Sequence, residues 1–469
     1  MTVAPSVPPA PTGTASDGAT SAGAAPPTPA PSPPPGRTPA ARASRLRALR
    51  SRNYRLFFTG QSVSLIGTWV TRIATSWLVY QLTGSAWWLG VVGFVGLLPT
   101  LVVAPVAGVL VDRWDRHRVL LATQALSLLQ SAALALLAFT HTITVGHILW
   151  LQLVQGLVNA LDTPARQAFV VQMVDDRADL PNAIALNSSM FNGTRVIGPA
   201  VGGALLAAAG AGWCFALDAA SYLAVLASLL LMRLPPRPTA PAARGMGAVL
   251  SELREGVRYA AGFPPVRSLL VLVALLGVFG MPYTTLMPEV ASKTLHGGAH
   301  LLGWLMTAGG VGALGGALYL AGRSSVVGLG RVISAGGVGV GVALTAFSFA
   351  RTPWLALLLL VFVGGAFMVT TASCNTILQT ILPEGLRGRV MALYTVAFLG
   401  TAPIGSLLAG ALAARVGTPY TILAGALGCL LAGLWFALQR KGLAEYVRPI
   451  YVEQGILEVQ EGEVRAGRA

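Results

Sequence analysis

The chain has almost no lysine. Only Lys293 and Lys441 occur in 469 residues, so the net charge of +15 is carried by arginine. Charge of either sign is scarce too, at 10% of residues, against roughly 25% in a soluble domain. With 54% hydrophobic residues and a mean hydropathy of +0.68, a water-soluble fold would expose far too much apolar surface. Cysteine is limited to Cys214, Cys374 and Cys429, each inside an apolar run. That excludes a disulfide framework and reads as small buried hydrophobes. No Gly-rich loop followed by lysine is present, so direct drive by ATP is excluded. His296 and His300 lie four apart in "HGGAH", a Gly-rich stretch suited to a surface loop rather than a metal site. No enzyme chemistry, metal or cofactor is expected. The arginines do not gather on one soluble face, so nucleic acid is not an expected partner. They fall between apolar runs, which points to a lipid bilayer.

What is there is a set of membrane-length apolar runs. A helix needs about 20 such residues to cross the hydrocarbon. Twelve cores qualify: 56–82, 88–111, 119–140, 148–161, 183–209, 213–232, 268–290, 301–320, 332–350, 353–382, 390–414 and 419–438. The fourth must run on into "DTPARQAFVVQMV". Alternate connections carry the arginines, as in "RASRLRALRSRNYR", "DRWDRHR", "PEGLRGR" and "QRKG". The opposite connections hold only Lys293, Arg351 and Arg415. This is the positive-inside bias, and it places both termini in the cytoplasm of a cell whose inner membrane the chain spans.

The expected organisation follows. Residues 1–50 are a Pro/Ala-rich cytoplasmic tail whose composition cannot bury a core. They lack the basic start and apolar stretch of a signal peptide. Residues 51–233 and 267–440 are two six-helix bundles, 234–266 a cytoplasmic linker loop, and 441–469 a second cytoplasmic tail. The halves echo each other. "NAIALNSSMFNGTRVIGPAVGG" pairs with "RVMALYTVAFLGTAPIGSLLAG", and "GVLVDRWDRHRVL" with "GALYLAGRSSVVGLGRVI", each about 210 residues apart. Such duplication suits transporter folds that hold substrate between two bundles near the midplane.

The stretch from about Arg52 to Arg440 resembles the major facilitator superfamily. "GVLVDRWDRHRVL" is similar to the superfamily's signature between its second and third spans, with Asp115 at the usual second glycine. "GTRVIGPAVGG" resembles the Gly-Pro signature of the exporter branches. "NYRLFFTGQSVSLIGTWVTRIATSWLVYQLTGSAWWLG", "DTPARQAFVVQMV" and the "EYVRPIYVEQGILEV" tail narrow the resemblance to the enterobactin-exporter-like, transmembrane secretion effector group. It implies an all-α fold of twelve transmembrane helices, export of a small organic molecule (a siderophore or amphipathic drug), proton antiport and a monomer. Rival functions are an importer or lipid transporter on the same fold, or a non-transporting receptor or assembly partner. Gln152 stands where many proton-coupled exporters carry an arginine in the fourth span.

Gating falls on Gly108, Asp112, Arg113, Arg116 and Arg118, with Arg389 on the eleventh span as the expected counterpart of Asp112. It also falls on Gly193, Gly198, Pro199, Gly202 and Gly203, a small-residue face bent by proline and expected to seal against the opposite bundle. A charge within a span costs several kcal/mol and faces a cavity or a partner. The candidates for substrate binding or coupling are Arg72, Asn159, Asp162, Asn187, Arg195, Asp218, Glu289, Asn375 and Gln379. Among them, Arg72 is expected to contact substrate. Arg195 is expected to pair with an acid, with Asp162 and Asp218 the candidates, or with carbonyls of its own bundle.

Overall fold

A chain in hydrocarbon must satisfy every backbone polar group internally, and helices do so within a single segment. The computed structural model describes residues 46–234, 246–323 and 325–457, which are helical with no strand among them. The side chains at 104–106, 108, 109, 112, 113, 246 and 248–250 lie outside that description.

The long helices are α1 (Arg52–Thr83), α2 (Ala86–Arg113), α3 (Arg116–Phe139), α4 (Val145–Met173), α5 (Leu180–Ala209) and α6 (Ala211–Leu230). Next come α7 (Met246–Gly262), α8 (Pro264–Leu275), α9 (Tyr283–Glu289), α10 (Ala299–Ala321), α11 (Leu329–Ser348) and α12 (Pro353–Ile381). The last are α13 (Glu384–Thr395), α14 (Thr401–Val416) and α15 (Thr418–Glu453). α8 and α9 belong to one apolar stretch, 264–294, interrupted by π-turns at Leu276–Gly280 and Val290–Thr294. Another π-turn, Val396–Gly400, joins α13 to α14.

Among the described residues, nine helical stretches are long and apolar enough to cross a membrane. α1, α4 and α5 are equally long, at 32, 29 and 30 residues, but more polar. These three carry Arg72, Gln155, Asn159, Asp162, Asn187, Asn192 and Arg195. The helices with the weakest membrane signature are therefore the ones richest in candidate site residues.

α1 packs on α5 and α6, α2 on α4, and α3 on α4 and α6. Further along, α10 packs on α12, and α11 on α12 and α15. Two extensive crossings join these sets, α5 with α10 and α2 with α14.

Two expectations need correction. The 234–266 connection is not all loop, because α7 occupies 246–262. Its apolar residues recur at helical spacing and it packs on α13 and α8. The 441–469 tail also begins as helix: α15 runs on to Glu453 without a break. At 36 residues it is about 54 Å long and overshoots a 30 Å hydrocarbon layer. Beyond its end, the Gln454 side chain donates to the Thr380 carbonyl at 2.9 Å, tying the tail to the end of α12.

Asp115, the departure from the family signature, has a plain role. Its φ of −65° needs no glycine, and its carboxylate caps α3 by accepting from the Arg118 N–H at 2.9 Å. Replacing Asp115 by Ala is expected to lower stability by about 1 kcal/mol, and by Gly only a few tenths. Thermal melting of the purified variants checks this. A glycine variant melting below the alanine variant would contradict the cap.

Candidate functional site

The arginine-poor end is closed by glycines. A Cβ on Gly203 of α5 would lie 2.7 Å from the Gly303 Cα of α10 and 3.1 Å from the Ala299 carbonyl oxygen. A Cβ on Gly410 of α14 would lie 2.8 Å from the Gly90 Cα of α2 and 2.9 Å from the Ala86 carbonyl oxygen. Ala86 and Gly90 thus play on α2 the part that Ala299 and Gly303 play on α10. The internal duplication reappears as two like crossings in which backbone lies directly on backbone, as small residues permit in lipid.

The α5–α10 contact continues toward mid-depth. Pro199 has no N–H, so the Arg195 carbonyl loses its helical donor. Gly310 of α10 comes up against that carbonyl, and the Thr307 hydroxyl donates to the next one, of Val196, at 3.3 Å. α5 stays helical through Pro199.

The expected sealing face is therefore split. Gly203 does meet the opposite set of helices. Gly198 and Gly202 instead face α1, against Trp69 and against Val70 and Ile73, and a Cβ on Gly193 would meet nothing within 4 Å. A helix has several small-residue faces, and sequence spacing alone does not say which neighbour each one meets.

At mid-depth Arg72 of α1 and Arg195 of α5 flank the contact of Trp69 with Gly198, each about one turn from it. Each charge acts on the other, and that of Arg195 also reaches Tyr283 of α9. The Arg72 guanidinium lies over the Trp69 ring, 5.0 Å from its centroid, a cation–π arrangement. Arg72 stands deep among helices, yet its side chain is exposed and Arg195 is half-exposed. Arg195 has no ion pair or side-chain hydrogen bond among the described residues, so the expected acid or carbonyl partner is not found.

The acids are committed elsewhere. Asp162 is buried and accepts from Thr123 Oγ1 at 2.9 Å and Gln124 Nε2 at 2.8 Å, both on α3, and pairs with Arg166 at 3.4 Å. It fastens α4 to α3. Asp218, 1% exposed, accepts from Ser131 Oγ at 2.7 Å and packs against Gly67, while its Oδ1 is buried without a partner. Glu289 is buried near Tyr80 of α1, holds Lys293 at 3.5 Å and leaves Oε2 without a partner.

The amides form helix-local pairs. Gln155 donates to Asn159 at 3.2 Å on α4, and Gln379 to Asn375 at 2.5 Å on α12. Asn187 accepts from the Tyr54 hydroxyl at 3.1 Å. Asn159 and Gln379 are exposed, and Asn375 and Asn187 half-buried. Asn187, Asn375 and Gln379 lie on the arginine-rich half of their helices, and Asn159 at the middle of α4.

At the arginine-rich end the expected counterpart of Arg389, the Asp112 side chain, lies outside the described residues. Arg389 pairs with Glu255 of α7 at 2.5 Å, a partner hidden by treating the connection as loop. Arg116 donates to the Ala168 carbonyl at 3.4 Å, and Arg118 is exposed. Gly108, Asp112 and Arg113 are among the positions outside the description. Sequence reasoning also missed Tyr283, Trp69, Gly90 and Gly410. Only Gly410 left a trace, at the end of the eleventh-span stretch where Gly203 ends the matching fifth-span stretch.

A helical body with small-residue crossings and an arginine pair at depth suits a carrier better than an enzyme, and relatives decide it. The transmembrane secretion effector family, within the major facilitator superfamily, matches residues 43–446. The chain belongs to that family. It is a multi-pass membrane transporter and not an enzyme. It is 29% identical over 374 residues to the multidrug efflux pump Tap of Mycolicibacterium fortuitum, covering 78% of this chain and 91% of that one. It is 27% identical over 357 residues to the staphyloferrin A transporter of Staphylococcus aureus, covering 76% and 88%. To the enterobactin exporter EntS of Escherichia coli O1:K1 it is 27% identical over 392 residues, covering 82% and 91%. The fold is that of a bacterial homolog to the human lysosomal transporter Spinster, with TM-score 0.64, 15% identity and coverage of 86% and 98%.

Proposed function

We propose that the chain exports a small organic molecule, a siderophore or amphipathic drug, by alternating access of two six-helix bundles, 51–233 and 267–440, coupled to proton antiport. The nine apolar stretches together with α1, α4 and α5 supply twelve spans. The arginine-rich end is cytoplasmic, both termini lie there, and the carrier works as a monomer in the cytoplasmic membrane. The observation that carries this reading is the asymmetry of the closure. Paired glycine crossings shut the arginine-poor end, while Asn159, Gln379 and Arg72 stay accessible on the other side of them. This is the geometry expected of a carrier loading from the cytoplasm. The relatives named as an efflux pump and an exporter support the outward direction.

The test is efflux from an efflux-deficient bacterial host expressing the chain, with an amphipathic dye and an iron-free siderophore as probes. Retention of at least one probe is expected to fall, and an uncoupler to restore it. Asp112→Asn, at wild-type expression, is expected to lose most of the efflux, because Asp115 is spent on capping α3 and leaves Asp112 the acid free to serve gating among the bases of a moving edge. Uptake in place of efflux would favour an importer. Efflux indifferent to the uncoupler would overturn antiport.

A further inference from the structure

We propose that Arg72 and Arg195 are the charge-reading part of the transport site, and that its substrate is an organic anion: a carboxylate or phenolate on an aromatic body. The proposal rests on the export reading above and names the substrate class of that site.

Two guanidiniums at membrane depth repel each other, and neither has an acidic partner among the described residues. The buried acids in the spans are spent on other groups: Asp162 on α3 and Arg166, Asp218 on Ser131, Glu289 on Lys293. A fixed charge at such depth is costly unless it faces water or a counter-charge. Neither has a counter-charge among the described residues, and a bound anion would supply one for both. Guanidinium is suited to this task because its planar fork matches a carboxylate with two parallel hydrogen bonds.

The backbone around the pair is held while the side chains are free. Gly310 packs against the Arg195 carbonyl that Pro199 leaves without a helical donor, Thr307 holds its neighbour, and Trp69 seats the Arg72 head. The Trp69 ring lies beside the Arg72 charge, and the Tyr283 hydroxyl reaches Gly309, next to the Gly310 that meets the Arg195 carbonyl; these aromatic groups favour an aryl anion over an aliphatic one. A lipophilic cation, by contrast, would meet two like charges and no carboxylate.

The experiment is equilibrium binding to the purified full chain in zwitterionic nanodiscs, with three probes: salicylate, citrate and tetraphenylphosphonium. Salicylate is expected to bind saturably and citrate more weakly, with tetraphenylphosphonium failing to displace salicylate. Arg72→Gln and Arg195→Gln should each weaken salicylate by about tenfold or more, the loss of one charge-assisted contact. Arg195→Lys should retain part of the affinity. With no partner to strand, the Gln variants should melt at or near the wild-type temperature.

Full salicylate affinity in the folded double variant would overturn the proposal. So would displacement of salicylate from wild type by tetraphenylphosphonium, a readout that needs no variant to fold. Replacing the lipid with phosphatidylglycerol separates the sources of the anion. Loss of salicylate binding there would assign the pair to a headgroup and overturn a transported substrate. Flux in proteoliposomes, measured in parallel, distinguishes the two levels. Binding without net export leaves this site standing and overturns the export reading.

Discussion

Gly203→Leu is expected to abolish export without preventing insertion, and Gly410→Leu to do the same from the other crossing. At Gly203 even a methyl group would lie 2.7 Å from the Gly303 Cα, and Gly303 in turn faces the Pro199 carbonyl. Backbone on both sides cannot rotate away as a side chain can, so α5 and α10 must separate. Without a hydrophobic drive between helices in lipid, close packing is what holds such a contact, and a leucine removes it. The closed arginine-poor end would then be disfavoured. The carrier would stay open to that side and leak protons. Gly198→Leu should differ in kind. Its obstacle is the Trp69 side chain on α1, within the same set of helices. The expected result is a lower melting temperature and a displaced Trp69, with the seal retained. Proton leak in vesicles, set beside melting of the purified proteins, separates the two. Equal leak from Gly198→Leu and Gly203→Leu would show that α5 seals along its whole small-residue face.

Much of this was legible in the chain. Apolar length and the placement of arginine point to a membrane body, because hydrocarbon imposes one rule on every span. Depth also singled out Arg72 and Arg195, which flank one contact of α1 with α5. The errors share one cause: sequence shows how far along a helix a residue lies but not which neighbour it faces. Gly198 was expected at the opposite bundle and meets α1. Arg195 was expected to find an acid or carbonyls of its own bundle and instead stands across the Trp69–Gly198 contact from another arginine. Asp162 and Asp218, its candidate partners, turned out to be fastened to α3, whose buried Thr123, Gln124 and Ser131 are unremarkable in one dimension. Glu255, which pairs with Arg389, lay on a helix that a Pro-rich approach had disguised as loop.

The coupling group is expected to be Asp218, and Asp218→Asn to uncouple export from the proton gradient. Glu289 is the other candidate, but Lys293 at 3.5 Å offers it a lasting counter-charge. No cation partners Asp218 among the described residues. Its Oδ2 is held by Ser131, and its Oδ1 is buried and unpartnered. A carboxyl that keeps one oxygen anchored and one free can gain and lose a proton without breaking an ion pair. Its position joins α6, α3 and α1, since Gly67 of α1 packs directly against it. α1 also bears Arg72, about one turn further along the helix, so a proton on Asp218 can act on the helix that carries the charge-reading residue. Asparagine preserves size and the Ser131 contact but holds no exchangeable charge. Downhill movement of a bound substrate should therefore persist, while accumulation against a gradient driven by an imposed pH difference should vanish. Glu289→Gln should keep most of the pH-driven accumulation. Proteoliposomes with and without a pH step make the comparison. Wild-type accumulation by Asp218→Asn, together with its loss in Glu289→Gln, would move the proton to α9 and the arginine-poor end.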